Sequence, residues 1–173
     1  MTTTYERFTK ELIEACDGLS PVTHVLVETE QQLGAVDLQR STTFALQRDE
    51  EDERYAQVTV TPLGDAQMDV AFEVHLPLPP GAESPRWASI YQAATELSDA
   101  IEMNVLSTWD EEAHQMVEDE LLFVGGYDVS FDGNQNDFTH AVETIAREID
   151  AFLTLSLRPE RGRSESRTTP AYS

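Results

Sequence analysis

The histidines are the residues of this sequence best suited to proton transfer or metal binding. There are four, and each lies in a separate predicted element: His24, His75, His114 and His140. None stands four residues from another histidine or beside the single cysteine, Cys16, so the ligand spacing of a zinc site is absent. His75 falls on the polar side of an alternating strand, where we expect a solvated side chain. A catalytic histidine site would therefore have to be assembled by folding.

One segment carries oxygen-bearing side chains at the spacing of an EF-hand calcium loop. The residues at loop positions 1, 3, 5 and 12 are Asp132, Asn134, Asn136 and Glu143. Position 6 of such a loop requires glycine, and Asp137 stands there instead. The alternative is a turn followed by a capped helix, with Glu143 on its exposed side. These four residues are a weak calcium-loop candidate, and we predict no other metal site, no cofactor site and no catalytic site.

The charge of the chain is its most unusual property. Asp and Glu number 33 against 11 Lys and Arg, which gives a formal net charge of −22, and Lys10 is the only lysine. Such a surplus repels itself in dilute buffer, whereas in ~1 M salt the Debye length falls to about 3 Å and screens the repulsion. The composition resembles that of cytosolic proteins of salt-in halophiles. Carboxylate pairs such as Glu118 and Glu120 are then expected by chance.

Length and apolar content predict a single domain over residues 1–157 and a flexible tail over residues 158–173. Apolar residues make up 40% of the chain, enough for a core. The tail has no apolar periodicity, and its composition is dominated by Arg, Ser, Thr and Pro. We find neither a signal-peptide pattern nor a run near the ~18 apolar residues of a membrane span. We therefore expect a cytoplasmic protein with no membrane partner.

Apolar spacing predicts the elements of the first half. Phe8, Leu12 and Cys16 share a face of a helix that Gly18 ends, which makes the cysteine a buried hydrophobe. Residues 20–34 fit a capped helix or a short strand, and we prefer the helix. Three strands follow: residues 36–47, 55–61 and 67–76. The last alternates strictly, which indicates an antiparallel sheet with one wet face.

The second half predicts a helix from Ser84 and Pro85, strands at residues 104–109 and 115–124, and a last helix from near Asp137. Two glycines at positions 125 and 126 end the second strand or mark a bulge. The predicted fold class is α+β, an antiparallel five- or six-stranded sheet with helices packed mainly on one face, in the order α(α)βββαββα.

This order resembles the fold of the type III secretion chaperones and the related YbjN-like proteins. The similarity is best where a helix leads into Met103 and Asn104. After these residues come a strand, an acidic hairpin at residues 110–112, a longer strand, a glycine-containing loop and a helix ending near Phe152. The resemblance implies a small, acidic, often dimeric module that holds an extended or unfolded segment of a partner. It transfers no individual binding residues.

We therefore expect a non-enzymatic protein-binding or chaperone-like module of a halophile, with a protein partner or a second copy as its ligand and no nucleic acid. Such a module should expose an apolar patch or a free sheet edge. One alternative is an enzyme with a site assembled from scattered His and carboxylates, which predicts a deep pocket where they converge. Another is an acidic decoy that mimics nucleic acid, which predicts acidic residues gathered on one side.

Overall fold

A six-stranded antiparallel sheet and three helices make up the part of the chain that the structure describes. In this computed structural model that part is residues 4–31, 38–47, 53–64, 66–78, 87–98, 101–131, 135–155 and 157. The helices are α1 (Thr4–Asp17), α2 (Trp87–Leu97) and α3 (Gln135–Leu153). The strands are β1 (Val22–Gln31), β2 (Leu38–Gln47), β3 (Tyr55–Gly64), β4 (Gln67–Pro77), β5 (Ile101–Asp110) and β6 (Gln115–Ser130). Across the sheet they lie in the order β1-β2-β3-β4-β6-β5, and all neighbours are antiparallel.

The helices pack on one face of the sheet, and this confirms the predicted α+β class. Every second residue of β4 is buried beneath them, at most 1% exposed: Met68, Val70, Phe72, Val74 and Leu76. The residues between them lie on the open face, where Ala71 and Glu73 are exposed. This alternation is the burial pattern of an antiparallel sheet with one wet side.

The core is centred on an aromatic cluster between α3 and the middle strands. Phe152 is fully buried, with its ring centroid 5.2 Å from that of Phe123 on β6 and 5.7 Å from that of Phe72 on β4. Aromatic pairs at these separations add attraction to the burial of their area. The cluster therefore holds the end of α3 against two strands at once.

The helix α1 follows its predicted apolar stripe. Phe8, Leu12 and Cys16 are buried, and the helix ends where the Gly18 N–H donates to the Glu14 carbonyl at 3.1 Å. Burial, and then the negative charge of Asp150, raise the pKa of the Cys16 thiol to about 12. The thiol is therefore protonated and shielded at neutral pH, as expected for a structural cysteine.

The preference for a helix over residues 20–34 was wrong, because Val22–Gln31 form the strand β1. The apolar residues of this segment fit either period, while the β-branched Val25 and Val27 favour a strand. Pairing with β2 decides the outcome, because β2 supplies the backbone hydrogen bonds along an antiparallel register. The observed order is accordingly αββββαββα.

The two glycines of β6 neither end the strand nor form a bulge, contrary to prediction. The register with β4 runs through them without a shift. A Cβ atom on Gly125 would lie 2.6 Å from Cζ of Phe72 and 3.1 Å from Cδ1 of Ile101. Glycine is thus required there because the Phe72 ring occupies the space of a side chain.

The end of α3 is tied to the start of β3. The Arg54 guanidinium donates to the Leu153 carbonyl at 3.1 Å and to the Leu155 carbonyl at 2.8 Å, and Leu157 is buried. The predicted tail, residues 158–173, lies outside the described residues. Among the described residues, no helix has the length and apolar character needed to cross a membrane.

Candidate functional site

His75 and two carboxylates meet on the open face of the sheet. Nδ1 of His75 lies 2.8 Å from Oε1 of Glu120, and Nε2 lies 3.3 Å from Oε2 of Glu73. The Tyr55 ring stacks on the imidazole, with centroids 4.4 Å apart and planes 7° from parallel. Strand register explains the assembly, because Tyr55 pairs with His75 and Glu120 pairs with Pro77, two residues further along β4. We call Tyr55, Glu73, His75 and Glu120 the histidine cluster.

The geometry of the histidine cluster suits a structural role. A neutral imidazole has one N–H and a protonated ring has two, so the protonated ring donates to both carboxylates. Both nitrogens are then engaged by the protein itself, and Tyr55 covers one ring face, so no nitrogen is left for a substrate. Burial, followed by the charges of Glu120 and Glu73, raises the pKa of Tyr55 and keeps its phenol protonated.

The expectation of a solvated His75 was wrong, because its side chain is only 14% exposed. The convergence of one histidine and two carboxylates, which the enzyme alternative required, does occur. It occurs on a sheet face, however, where it joins β3, β4 and β6 through side chains. The cluster therefore acts as a cross-strand clamp.

We expect His75→Ala to lower the free energy of unfolding by about 1–2 kcal/mol. The change removes the stacked ring and leaves two carboxylates without their shared imidazole partner. Urea unfolding in ~2 M KCl, where long-range repulsion is screened, measures the effect. The matched control is His140→Ala on the exposed side of α3, which should stay within about 0.5 kcal/mol of wild type. Superimposable curves for His75→Ala and wild type would refute the clamp.

The strands β5 and β6 continue past the rest of the sheet as a two-stranded hairpin. Residues 115–118 of β6 pair with β5 alone. Trp109 and Met116 are direct cross-strand partners and are 53% and 60% exposed. Leu106 and Val117 are exposed on the other side of the hairpin, by strand alternation. We call the exposed Trp109–Met116 pair the hairpin surface.

The sequence of the hairpin and its flanking segments carries acidic residues without lysine or arginine. The hairpin itself carries six carboxylates: Asp110, Glu111, Glu112, Glu118, Asp119 and Glu120. From residue 87 to residue 146 the sequence has neither lysine nor arginine. Oδ1 of Asp110 accepts hydrogen bonds from the N–H groups of Glu112 at 3.0 Å and Ala113 at 3.3 Å, which shapes the turn. The hairpin thus combines exposed apolar side chains with a negative charge.

A second exposed apolar segment lies on β1, at the opposite edge of the sheet. Val25, Leu26 and Val27 are each more than half exposed. β1 pairs with β2 on one side, and no strand in the described part of the chain pairs with it on the other. A long apolar edge strand is a template for pairing with another chain. Both edges of the sheet in the described part of the chain therefore expose apolar side chains.

The calcium-loop candidate is only partly described. Two of its residues lie outside the described part: Asp132 and Asn134. Asn136 and Glu143 belong to α3, and Phe138 between them is buried in the core. Glu143 lies 3.9 Å from Arg147. The calcium interpretation stays a prediction, and no group of three or more His, Cys, Asp or Glu among the described residues is placed to hold a metal ion.

The other three histidines lie apart from His75. Nδ1 of His24 on β1 is 3.1 Å from Oγ1 of Thr23. His114 has a φ of 53° in the hairpin turn, and its ring centroid is 6.4 Å from that of Trp109. His140 is exposed on α3. Sequence reasoning missed the hairpin surface, although pairing across the acidic turn would have set Trp109 opposite Met116.

Comparison of the chain with protein-family models, with curated proteins and with solved structures gives no match. The candidate site is therefore defined by its own residues: a histidine cluster that joins three strands, an acidic hairpin with exposed apolar side chains, and an apolar edge strand of the described sheet.

Proposed function

We propose that this chain is a non-enzymatic protein-binding module that takes a cationic, apolar segment of a partner protein on its hairpin surface. The observation that carries the proposal is the exposed Trp109–Met116 pair inside a region without lysine or arginine. The carboxylates that flank that pair along the hairpin, such as Glu111, Glu112 and Glu118, select the charge of the partner, because like charges at an interface are strongly disfavoured.

Trp109 is the expected anchor of the interaction. Tryptophan is enriched among the residues that dominate binding energies, because it buries a large rigid area at low entropic cost. Its ring also attracts a guanidinium or ammonium group placed over its face. A segment that alternates arginine or lysine with large apolar residues satisfies both the ring and the surrounding carboxylates.

The proposal places this interaction in concentrated salt inside a halophilic cell. In ~1 M salt the Debye length is about 3 Å, so only charges in direct contact contribute and apolar contact carries more of the affinity. The apolar pair at the centre of the acidic hairpin fits that condition. The resemblance to the type III secretion chaperones and YbjN-like proteins supports the same role, since those proteins hold segments of their partners.

The exposed apolar pair also favours the binding of an apolar, cationic segment over the role of a decoy that mimics nucleic acid. A nucleic-acid mimic needs regularly spaced negative charges and has no use for large apolar side chains at their centre. Trp109 and Met116 would reduce the likeness to a phosphate backbone, whereas they strengthen contact with a peptide.

The experiment uses three short fluorescent peptides of alternating sequence, Leu–Arg, Leu–Glu and Ser–Arg, titrated with the full chain. Fluorescence anisotropy is recorded in ~0.2 M and ~2 M KCl, to vary the screening of charge. We expect the Leu–Arg peptide to bind at least about tenfold more tightly than the Ser–Arg peptide in ~2 M KCl, where apolar contact dominates. In ~0.2 M KCl, where charge is less screened, it should bind at least about tenfold more tightly than the Leu–Glu peptide.

The variant Trp109→Ser with Met116→Ser should weaken Leu–Arg binding by at least about tenfold, as expected for loss of an anchor. Leu63→Ser is the matched control, because Leu63 is equally exposed on β3, away from the hairpin. Circular dichroism verifies that both variants fold. Equal binding of the Ser–Arg and Leu–Arg peptides, or unchanged binding by the double variant, would overturn the proposal.

A further inference from the structure

The middle of β1 is self-complementary. Residues 24–28 read His-Val-Leu-Val-Glu, so Leu26 is flanked by two valines, and these by a histidine and a glutamate. Consider two copies of this strand, antiparallel about a two-fold axis through Leu26. Residue 24 of one copy then stands opposite residue 28 of the other, residue 25 opposite residue 27, and Leu26 opposite itself. This is the pattern of an isologous interface, in which one patch serves both subunits.

The sheet faces of these residues agree with such a pairing. In β1, Val25 pairs with Phe44 of β2, and Val27 pairs with Thr42 of β2. Phe44 and Thr42 are buried on the helix side of the sheet. The valines of the two copies would therefore meet on the helix side. Leu26 pairs with Thr43 and lies on the open side, where it would meet Leu26 of the second copy. Each exposed apolar side chain gains an apolar partner across the axis.

The polar positions at the two ends of the segment also match. By register, position 24 of one copy, a histidine, stands opposite position 28 of the other, a glutamate, and these residue types are complementary as hydrogen-bond donor and acceptor. Chains of net charge −22 repel as wholes, but salt screens that repulsion and leaves the direct contacts. Pro21, which has no N–H, precedes the strand and limits the pairing.

We infer that a second copy of this chain is the partner of the β1 edge and that the two sheets join there into one continuous sheet. The hairpin surface lies at the opposite edge, formed by β5 and β6. The dimer therefore leaves the hairpin surface accessible, and the dimer can be tested independently of the proposed function.

A charge exchange tests the pairing, with sedimentation equilibrium of the full chain in ~2 M KCl. We expect the wild type to dimerise at micromolar concentration. His24→Glu sets glutamate opposite glutamate and should raise the dimer dissociation constant at least about tenfold. Adding Glu28→His to that variant sets Glu at position 24 opposite His at position 28, so the double exchange should restore the dimer.

A disulfide provides an independent readout of the axis. Facing residues of an antiparallel pair have Cα atoms about 4.5–5.5 Å apart, which fits a disulfide. Leu26→Cys should therefore give a covalent dimer under mild oxidation by copper phenanthroline, and the buried Cys16 gives no background. Leu63→Cys, at an equally exposed position, is the matched control and should stay monomeric on a non-reducing gel.

Three results would overturn the inference. The first is a wild-type chain that stays monomeric up to ~100 μM, well above the Kd of a specific dimer. The second is a double exchange whose dimer is as weak as that of His24→Glu alone. The third is loss of the dimer in the variant Trp109→Ser with Met116→Ser. Monomeric His24→Glu should still bind the Leu–Arg peptide, and this separates the dimer from the proposed function.

Discussion

Replacing Phe152 with alanine is expected to lower the free energy of unfolding by about 3–5 kcal/mol. That is a large share of the ~5–15 kcal/mol that stabilises a typical domain. The Phe152 ring lies between Phe72 and Phe123 and is fully buried. Its removal leaves a cavity where α3 meets β4 and β6, and tightly packed neighbours fill such a space only in part.

Two measurements check this expectation. Urea unfolding in ~2 M KCl gives the change in free energy with charge repulsion screened. The labelling rate of Cys16 by a thiol reagent reports how often the native core opens, because burial and Asp150 raise the pKa of the thiol to about 12. Labelling should be faster in Phe152→Ala. Tyr91→Ala is the control, since Tyr91 is 49% exposed on α2, and equal midpoints for Phe152→Ala and wild type would contradict the account of the core.

Removal of salt is expected to have an effect of similar size. Lowering KCl from ~2 M to ~0.05 M increases the Debye length severalfold. At a net charge of −22, the negative side chains of the folded chain then repel one another. We expect the urea midpoint to fall steeply and Cys16 to become reactive without urea. A KCl series followed by circular dichroism and thiol labelling measures both changes.

A charge-reduced variant separates repulsion from other effects of salt. Glu111→Gln, Glu112→Gln and Glu118→Gln remove three exposed negative charges from the hairpin. This variant should fold at lower KCl than the wild type, because less repulsion needs screening. Equal wild-type midpoints in ~0.05 M and ~2 M KCl, the two limits of screening, would show that the acidic surface is no adaptation to salt.

The elements that could be predicted are those with a strong local period. The helical stripe of Phe8, Leu12 and Cys16 and the alternation along β4 each define the buried face without reference to the rest of the chain. Burial along α2 was harder to predict, since Ile90 is buried and its apolar neighbour Tyr91 is half exposed. A helix at the edge of the sheet covers only part of its apolar face, and its sequence does not show how much.

The segments that could not be predicted are those that depend on distant partners. β1 has side chains that fit two periods, and pairing with β2 made it a strand. The two glycines of β6 have the local signature of a break, yet Gly125 makes room for the Phe72 ring of the neighbouring strand. In both cases the deciding atoms belong to another element.

By itself, the sequence determined that this protein is an acidic α+β fold with a wet sheet face and no zinc-ligand spacing, because charge, composition and short periods are local properties. Only the tertiary structure decided that His75 meets Glu120, 45 residues away, and that Trp109 and Met116 are exposed together on a hairpin. It also decided that β1 is an apolar edge strand of the sheet in the described part of the chain. Strand order and register set these neighbours, and both arise from backbone pairing between distant segments, which no local pattern encodes.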